Sequence, residues 1–392
     1  MLQRAVWAGS NSGSYAVAEE AMRRLVGVNI SAKRIRAMVQ AAGDARLAER
    51  HEAVEQLRQM PPAKRRAGSA AGEPPSLAVT SVDGGRYQRR DRFGEKPQGE
   101  RTAGHWRETK VGCLLSMHST VHGSDPAPEF PAWLATSEGV AALAKIAENA
   151  AADEEHTADE SSHSASPEPA GYEPPEVGSR EVLASGDDAE SFGWQLEARA
   201  WQLGFPGAPR QAFLGDGAKV NWSIQRKHFP QATPITDLMH ALSYAWSAAA
   251  AVGQPTAYRQ WAEWIWQGQT ARVIAVLADH QQRLGPPPAE ADSTDPRQRV
   301  HRALTYYRNN QSRMDYPRYR RDGLPLTSSH IESTVKLING RIKGSEKFWH
   351  RTSGEAVLQL RADSLSDSRP LEGFWRRWQA QQTGSNRYHA VA

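Results

Sequence analysis

The chain has 392 residues, a mean hydropathy of −0.65 and a formal net charge of +4. Its length predicts two or three structural units. No segment approaches the roughly 18 consecutive apolar residues that a membrane-spanning helix needs, and the first residues lack a secretory signal. Cys113 is the only cysteine, which excludes a disulfide framework and a cysteine-cluster zinc site. These features predict a cytoplasmic protein.

The small net charge conceals a strong asymmetry along the chain. Residues 151–190 contain 12 acidic side chains and one basic side chain, Arg180. The rest of the chain has 47 basic and 32 acidic residues, a net charge of +15. A basic surface is typical of proteins that bind a polyanion such as nucleic acid, although it also occurs as ordinary surface solvation.

Residues 1–70 are predicted to form an N-terminal helical region. Helical spacing of apolar residues continues to Val26, and Ser31 is a suitable N-cap for a second helix that we expect to end at Gly43. Two interpretations remain open. The pair is either a helix-turn-helix that brings Lys33, Arg34 and Arg36 to DNA phosphates, or, more commonly, a helical hairpin that packs on the next domain.

Residues 71–150 are predicted to form the first part of an α/β core. The apolar, β-branched segment 76–90 predicts a buried strand closed by an Asp-Gly-Gly turn, and His105 to Ser116 predicts another strand. Pro131 to Ala151 predicts an alanine-rich helix. Residues 151–191 form an acidic linker, and we expect 152–180 to be disordered because they offer too few apolar side chains to offset chain entropy.

The second half of the chain predicts strands separated by helices, which favours an α/β fold with a mixed sheet and flanking helices. The core resumes over 192–247, with a strand at 211–221 and a short strand leading into a helix at 233–246. A helical insertion follows over 248–320, and C-terminal core helices over 321–365 precede a tail, 366–392. The insertion contains Trp261, Trp264 and Trp266, which are suited to stacking on unpaired bases or, more commonly, to core packing.

Three carboxylates have positions suited to chemistry. Asp83 and Asp216 each follow a predicted core strand and precede glycine, which permits close approach of a ligand, although Asp-Gly is also a common turn pair. Glu332 lies in the first turn of a helix whose apolar stripe would pack on a sheet, a position that also favours the helix dipole. The same helix contains the basic residues Lys336, Arg341 and Lys343.

Two aspartates and one glutamate from two strands and a helix could hold two Mg²⁺ ions, because hard carboxylate oxygens suit this cation. Two ions about 3.5–4 Å apart support an in-line displacement at phosphorus. The sequence has no phosphate-binding P-loop, no H-E-x-x-H metalloprotease motif, no G-x-S-x-G esterase motif and no zinc spacing among its 13 histidines.

At these motifs the chain resembles bacterial insertion-sequence transposases of the Kra type, which are related to the Mutator-like superfamily and have an Asp-Asp-Glu triad. The resemblance covers roughly residues 14–50 and 76–365. The matching segments are SVDGGRYQ (81–88), HWRETKVG (105–112), FLGDGAKVNW (213–222), HFPQATPITDLMHALSYAW (228–246), NNQSRMDYPRYRRDGLPLTSSHIESTVKLINGRIKGSEKFW (309–349) and GEAVLQLRA (354–362).

The resemblance implies an RNase H-like core with a helical insertion before the last carboxylate. Asp83, Asp216 and Glu332 match the catalytic, metal-binding triad, with two Mg²⁺ ions as cofactors and Mn²⁺ as a substitute. Asp237 and His240 match an Asp-x-x-His signature and would support the triad. The implied activity is cleavage and transfer of double-stranded DNA at terminal inverted repeats by a homo-oligomer bound to bacterial nucleoid DNA.

Basic residues near Glu332 would hold the DNA backbone: Lys336, Arg341 and Lys343 on its helix, and Arg318, Arg320 and Arg321 before it. The chain lacks the cysteine pairs that relatives carry in a longer N-terminal region. An alternative is therefore an N-terminally truncated, catalytically inactive remnant that still binds DNA. A third interpretation is an RNase H-like nuclease acting on RNA–DNA hybrids.

Overall fold

The computed structural model describes residues 1–69, 73–90, 105–155 and 173–383. The strands are β1 Leu77–Arg89, β2 Trp106–His118, β3 Glu176–Ser185, β4 Gln211–Gly215, β5 Thr233–Thr236 and β6 Phe348–Trp349. The helices are α1 Leu2–Asn11, α2 Tyr15–Val26, α3 Ala32–Gln59, α4 Pro62–Ala67, α5 Ser137–Glu155, α6 Ala189–Gln202, α7 Lys219–His228, α8 Leu238–Ala251, α9 Ala257–Trp266, α10 Thr270–Leu284, α11 Pro296–Asn310, α12 Tyr316–Arg321, α13 Ser329–Ile342, α14 Arg351–Leu365 and α15 Pro370–Thr383.

The strands form one mixed sheet in the order β3-β2-β1-β4-β5. β2 is antiparallel to both β1 and β3, whereas β4 is parallel to both β1 and β5. β6 adds a short parallel pairing at the end of β1. The carboxyl ends of β1, β3, β4 and β5 therefore point the same way, and the expected α/β class with a mixed sheet and flanking helices is confirmed.

Helices cover both faces of the sheet because side chains alternate along each strand. On one face, Ala78 and Val82 of β1 and Phe213 of β4 join a core with α6 and α7. On the opposite face, odd-numbered residues of β1 and even-numbered residues of β4 join a larger core with α8, α13 and α14. Because of this alternation, the position of each carboxylate along its strand determines which face of the sheet its side chain is on.

The N-terminal helices pack on the core. Ser31 caps α3 as expected, but α3 does not end at Gly43; it continues to Gln59. Gly43 lies directly against Ala356 of α14, where a Cβ atom would come within 2.4 Å of the alanine Cβ, so glycine permits the close helix contact. Arg46 donates a 2.9 Å hydrogen bond to Asp363 of the same helix. This packing is the arrangement of the helical-hairpin interpretation.

Four predicted boundaries need correction. The strand expected at 211–221 ends at Gly215, because helix α7 begins at Lys219. β1 does not turn at Asp83 but continues to Arg89, because β2 pairs with it through this region. Residues 176–180 of β3 lie in the segment expected to be disordered, and the strand continues through Val182, Leu183 and Ala184, which are buried; the neighbouring charges concealed this apolar run in the sequence. Helix α15 lies in the predicted tail. Residues 156–172 of the acidic linker lie outside the described residues.

The insertion is helical, as predicted, and its tryptophans serve mainly as core. Trp261 and Trp266 are buried, and the indole of Trp266 donates a hydrogen bond to the Ala127 carbonyl. Trp264 is partly exposed, with the Arg272 guanidinium 4.3 Å from its ring centroid. Trp261 and Trp266 are therefore not available to stack on bases. In the part of the chain that the structure describes, no helix has the length and apolar character needed to cross a membrane.

Candidate active site

Asp83 and Asp216 lie at the same edge and on the same face of the sheet. The β1–β4 pairing places Ser81 opposite Leu214, so two further residues along each strand lead to Asp83 and Asp216. Asp83 is separated by an even number of positions from Leu77 and Val79, whose side chains face the larger core. Asp216 is likewise two positions after Leu214, whose side chain faces the same core. Both carboxylates are thus directed to the face that α13 covers.

Asn221 ties Asp216 to β1. Its side-chain amide donates one hydrogen bond to Asp216 Oδ1 at 2.9 Å and another to the Val82 carbonyl at 3.2 Å. The backbone N–H of Ala218 also donates to Asp216 Oδ1. The buried amide therefore fixes the Asp216 carboxylate relative to the residue that precedes Asp83. The sequence contained no spacing signal for this role.

The helical insertion supports the same turn from outside. The Tyr306 hydroxyl of α11 donates a 2.9 Å hydrogen bond to the Asp216 carbonyl. Gly217 adopts a φ of +110°, and a Cβ there would come within 2.5 Å of the Tyr306 ring. Glycine after Asp216 is required because the backbone is in the left-handed region and the tyrosine occupies the space of a side chain.

Glu332 lies in the first turn of α13, as predicted, and α13 crosses β1 and β2. The Cys113 thiol of β2 donates a 3.4 Å hydrogen bond to Thr334 of α13. Gly85 of β1 packs against Asn339, whose side-chain oxygen would lie 2.8 Å from a Cβ at that position. These contacts hold the helix on the sheet and bring Glu332 to the edge where Asp83 and Asp216 lie.

The pKa of Asp83 responds to both of the other predicted carboxylates. Burial, together with the negative charges of Asp216 and Glu332, raises the pKa of Asp83 to about 7, while the Gly84 N–H and His240 act in the opposite direction. Like charges within a few ångströms of one another disfavour ionisation of each. Asp216 and Glu332 are thus near enough to Asp83 to affect its ionisation, although the sequence places the three residues far apart.

Asp237, which is buried, and His240, which is partly exposed, form a hydrogen-bonded pair beside these carboxylates. Asp237 caps α8 by accepting the His240 N–H at 2.7 Å, and the same oxygen lies 3.2 Å from His240 Nδ1. Burial alone would lower the pKa of His240, but Asp237, together with Asp216 and Glu332, raises it to about 10. His240 is therefore a cation among carboxylates.

Ser328 joins this pair to Glu332. Its backbone N–H and its hydroxyl donate to Asp237 Oδ2 at 2.5 and 2.7 Å, and the hydroxyl lies 3.4 Å from Glu332 Oε1. Ser328 is the N-cap residue of α13, as expected, but its side chain bonds to Asp237 rather than to the helix. The sequence showed no signal for this link, because Ser328 and Asp237 are 91 positions apart.

The predicted DNA-binding arginines divide into two groups. Arg320 is buried, forms an ion pair with Asp125 and lies over the Trp266 ring. Arg341 is also buried, and its guanidinium donates two hydrogen bonds to the Gly9 carbonyl. Their burial contradicts the expected phosphate contacts, because these two side chains are used to pack the insertion and α1.

The remaining predicted basic residues are at least partly accessible. Arg318 and Arg321 are exposed and pair with Asp315 and Asp322 respectively. Lys336 and Lys343 of α13 are half-buried. Burial lowers the pKa of Lys336 while nearby Glu332 raises it, so this lysine lies beside the carboxylates rather than on a separate surface.

The donor set suits a hard divalent cation. One oxygen of Asp83 accepts the Gly84 N–H and one oxygen of Asp216 accepts two donors, whereas the Oδ2 atom of each accepts no hydrogen bond from the described residues. One ligand atom each of Asp237, His240 and Glu332 also lies within 4.8 Å of the other two. Both Asp237 oxygens already accept hydrogen bonds. Among the described residues, the cluster with this spacing does not include Asp83 or Asp216, so the predicted ligand set of Asp83, Asp216 and Glu332 does not form one group as compact as this.

Comparisons with known proteins identify no relative: neither a protein-family model nor a curated protein sequence matches this chain. The functional conclusion therefore depends on the positions of these side chains. These side chains are the carboxylates of Asp83, Asp216 and Glu332, the pair of buried Asp237 and partly exposed His240, and the neighbouring Ser328.

Proposed function

We propose that the protein is a DDE-type transposase that cleaves and joins DNA strands with Mg²⁺. The observation that carries this proposal is that Asp83 and Asp216 lie at one edge and on one face of the sheet, with Glu332 near enough to raise the pKa of Asp83. Three carboxylates from two neighbouring parallel strands and a covering helix make a site for divalent cations and phosphates. The resemblance to Kra-type transposases at these same residues supports this interpretation.

The arrangement of the sheet also supports an RNase H-like core. Three antiparallel strands, β1 to β3, are followed by two strands parallel to β1, with the order β3-β2-β1-β4-β5. The first two carboxylates follow or lie in the two adjacent central strands, and the third comes from a later helix. The insertion α9–α12 precedes that helix, as the resemblance implies for such an enzyme.

The chain's own residues would position the reacting groups. Bound Mg²⁺ would activate the attacking oxygen and stabilise the leaving oxygen of a phosphodiester. Asn221 would hold Asp216 in a fixed direction by a hydrogen bond, and the Ser328 hydroxyl, which donates to Asp237, lies 3.4 Å from Glu332. His240 places a positive charge beside them, which offsets part of their mutual repulsion.

Two displacements at phosphorus make up the proposed reaction. In cleavage, a water oxygen attacks phosphorus, the bond from phosphorus to O3′ breaks, and the departing O3′ takes a proton to become a free 3′-hydroxyl. In transfer, this 3′-hydroxyl loses its proton and attacks a phosphodiester of the target strand, whose own O3′ leaves. Neither displacement needs a covalent bond to the protein, so the site has to supply position and charge.

The test is nicking of a supercoiled plasmid that carries the inverted repeats flanking the gene. We expect the wild-type protein to nick this plasmid with Mg²⁺, and Asp216→Asn to lose at least about 100-fold of the rate, or about 2.7 kcal/mol. The matched control is Asp279→Asn on the surface of α10, where the aspartate pairs only with Arg283.

Equal nicking by wild type and Asp216→Asn contradicts the proposal. Binding of the repeats without nicking identifies an inactive DNA-binding remnant, and preferential cleavage of an RNA–DNA hybrid identifies a nuclease instead.

A further inference from the structure

Helix α7 presents a line of exposed residues that begins at the candidate active site. Its first residue, Lys219, is three positions after Asp216, and Lys219, Ser223 and Arg226 recur at i, i+4 and i+7 on the exposed side. The opposite side is buried through Asn221 and Ile224. At 1.5 Å per residue, Lys219 and Arg226 are about 10.5 Å apart along the helix axis.

A third cation comes from the end of the insertion. The Arg313 guanidinium lies 4.7 Å from the centroid of the Trp222 ring and donates a 2.9 Å hydrogen bond to the Asn309 carbonyl. Burial lowers the pKa of Arg313, and the positive charge of Arg226 lowers it further. The fold therefore holds two guanidinium groups near each other although they repel.

No carboxylate neutralises these cations. Within residues 1–69, 73–90, 105–155 and 173–383, no ion pair involves Lys219, Arg226 or Arg313. Their neighbours differ: Lys227 pairs with Glu190, and Arg318 pairs with Asp315. Uncompensated positive charge on a rigid helix beside a carboxylate site suits a polyanion, because the carboxylates alone would repel its phosphates.

We infer that Lys219, Arg226 and Arg313, here called the α7 basic surface, bind the sugar-phosphate backbone of duplex DNA next to the cleaved phosphodiester. The inference rests on the proposed function, since DNA is the substrate of that reaction. On one DNA strand the phosphates are spaced by about 3.4 Å along the axis, so the span from Lys219 to Arg226 covers about three of them. This surface takes the role that the sequence assigned to Arg320 and Arg341.

Binding is measured by fluorescence anisotropy with a labelled duplex carrying the flanking inverted repeat. All variants carry Asp216→Asn, so that binding is observed without cleavage. The test variant combines Lys219→Glu with Arg226→Glu. The matched control combines Lys145→Glu on α5 with Arg376→Glu on α15, which makes the same change of charge at other exposed positions. A third variant, Lys33→Glu with Arg34→Glu, tests the N-terminal helices.

We expect the α7 variant to weaken binding by at least about tenfold near 0.1 M salt and to reduce the slope of log K against log salt by about 2. The control should stay within about twofold of the parent protein. Equal losses in the α7 variant and the control overturn the inference, as does a larger loss from the Lys33/Arg34 variant. In either case the proposed function still stands if the wild-type protein nicks the plasmid. If the wild-type protein neither binds the duplex nor nicks the plasmid, the proposed function is overturned as well.

Discussion

Ser328 donates two hydrogen bonds to Asp237, one from its backbone N–H and one from its hydroxyl. The aspartate caps α8 and the serine caps α13, so this contact fixes the starts of two helices relative to each other. The serine hydroxyl, which donates its proton to Asp237, also lies 3.4 Å from Glu332, so the start of α8 is linked through Ser328 to a candidate cation ligand of α13. The five predictions below follow from this network and its surroundings.

Ser328→Ala should lower the rate of Mg²⁺-dependent nicking by about tenfold or more. The substitution removes one hydrogen bond to the buried carboxylate of Asp237, worth about 1.5–3 kcal/mol, and the 3.4 Å contact with Glu332. The concentration of Mg²⁺ needed for half-maximal nicking should rise, whereas a purely structural loss would lower only the melting temperature. Ser333→Ala, on the same helix and bonded only to the His330 carbonyl, is the control. An unchanged Mg²⁺ requirement argues against the positioning role.

Asn221→Leu should reduce both stability and activity, because it leaves the Val82 carbonyl without its donor and frees the Asp216 carboxylate. An unsatisfied buried acceptor costs about 1–3 kcal/mol. We expect nicking to fall by more than the fraction of protein that unfolds, as measured by circular dichroism on the same samples. Ser223→Ala on the exposed side of α7 should behave as wild type. If nicking activity falls only in proportion to the folded fraction of the protein, Asn221 has no role in orienting Asp216.

Asp83→Asn should stabilise the protein at high pH. The pKa of Asp83 is raised to about 7 in the folded state, so between about pH 4 and 7 the folded protein binds more protons than the unfolded chain. Stability therefore falls as pH rises through this window, and asparagine removes that loss. In a chelator, the variant should melt at a higher temperature than wild type at about pH 8, with a smaller difference at about pH 5. Added Mg²⁺ should raise the melting temperature of wild type only. A variant less stable than wild type at both pH values would contradict this assignment.

His240→Gln should remove stability that wild type has at neutral pH. The pKa of His240 is raised from 6.5 to about 10, so its contribution is complete below about pH 6.5 and disappears as pH rises to about 10. Urea unfolding of wild type should therefore show a decline in the free energy of unfolding across this range, and the variant should show a flatter profile. His301→Gln on α11 is a suitable control. Parallel profiles for wild type and His240→Gln would indicate that His240 is neutral.

Arg341→Ala should destabilise the fold without changing the salt dependence of DNA binding. The arginine is buried, donates to the Gly9 carbonyl and lies over the Tyr15 and Trp349 rings, so its loss should cost about 3 kcal/mol. The melting temperature and the slope of log K against log salt can be measured on the same preparation. A shallower slope with unchanged stability would restore the original expectation that Arg341 contacts DNA.

Local patterns predicted much of this molecule. The apolar runs before Asp83 and Asp216 are strands, and the stripe from Ile331 to Ile342 forms the buried face of α13. These features follow from short-range periodicity, since a buried strand and an amphipathic helix each display their pattern within a few residues. The positions of the three carboxylates on their elements could therefore be predicted, and the resemblance joined them into one site.

Contacts between distant segments could not be predicted in this way. The hydrogen bonds of Ser328 and Asn221, the burial of Arg320 and Arg341, and the pairing of β3 at the sheet edge all depend on partners far along the chain. The functional group of a side chain determines which partners it can bond with, but the packing of the whole fold determines which residues are its neighbours. For this reason Arg320 and Arg341, which were expected to bind phosphate, are buried in the core. The uncompensated cations Lys219 and Arg226 lie on α7 instead.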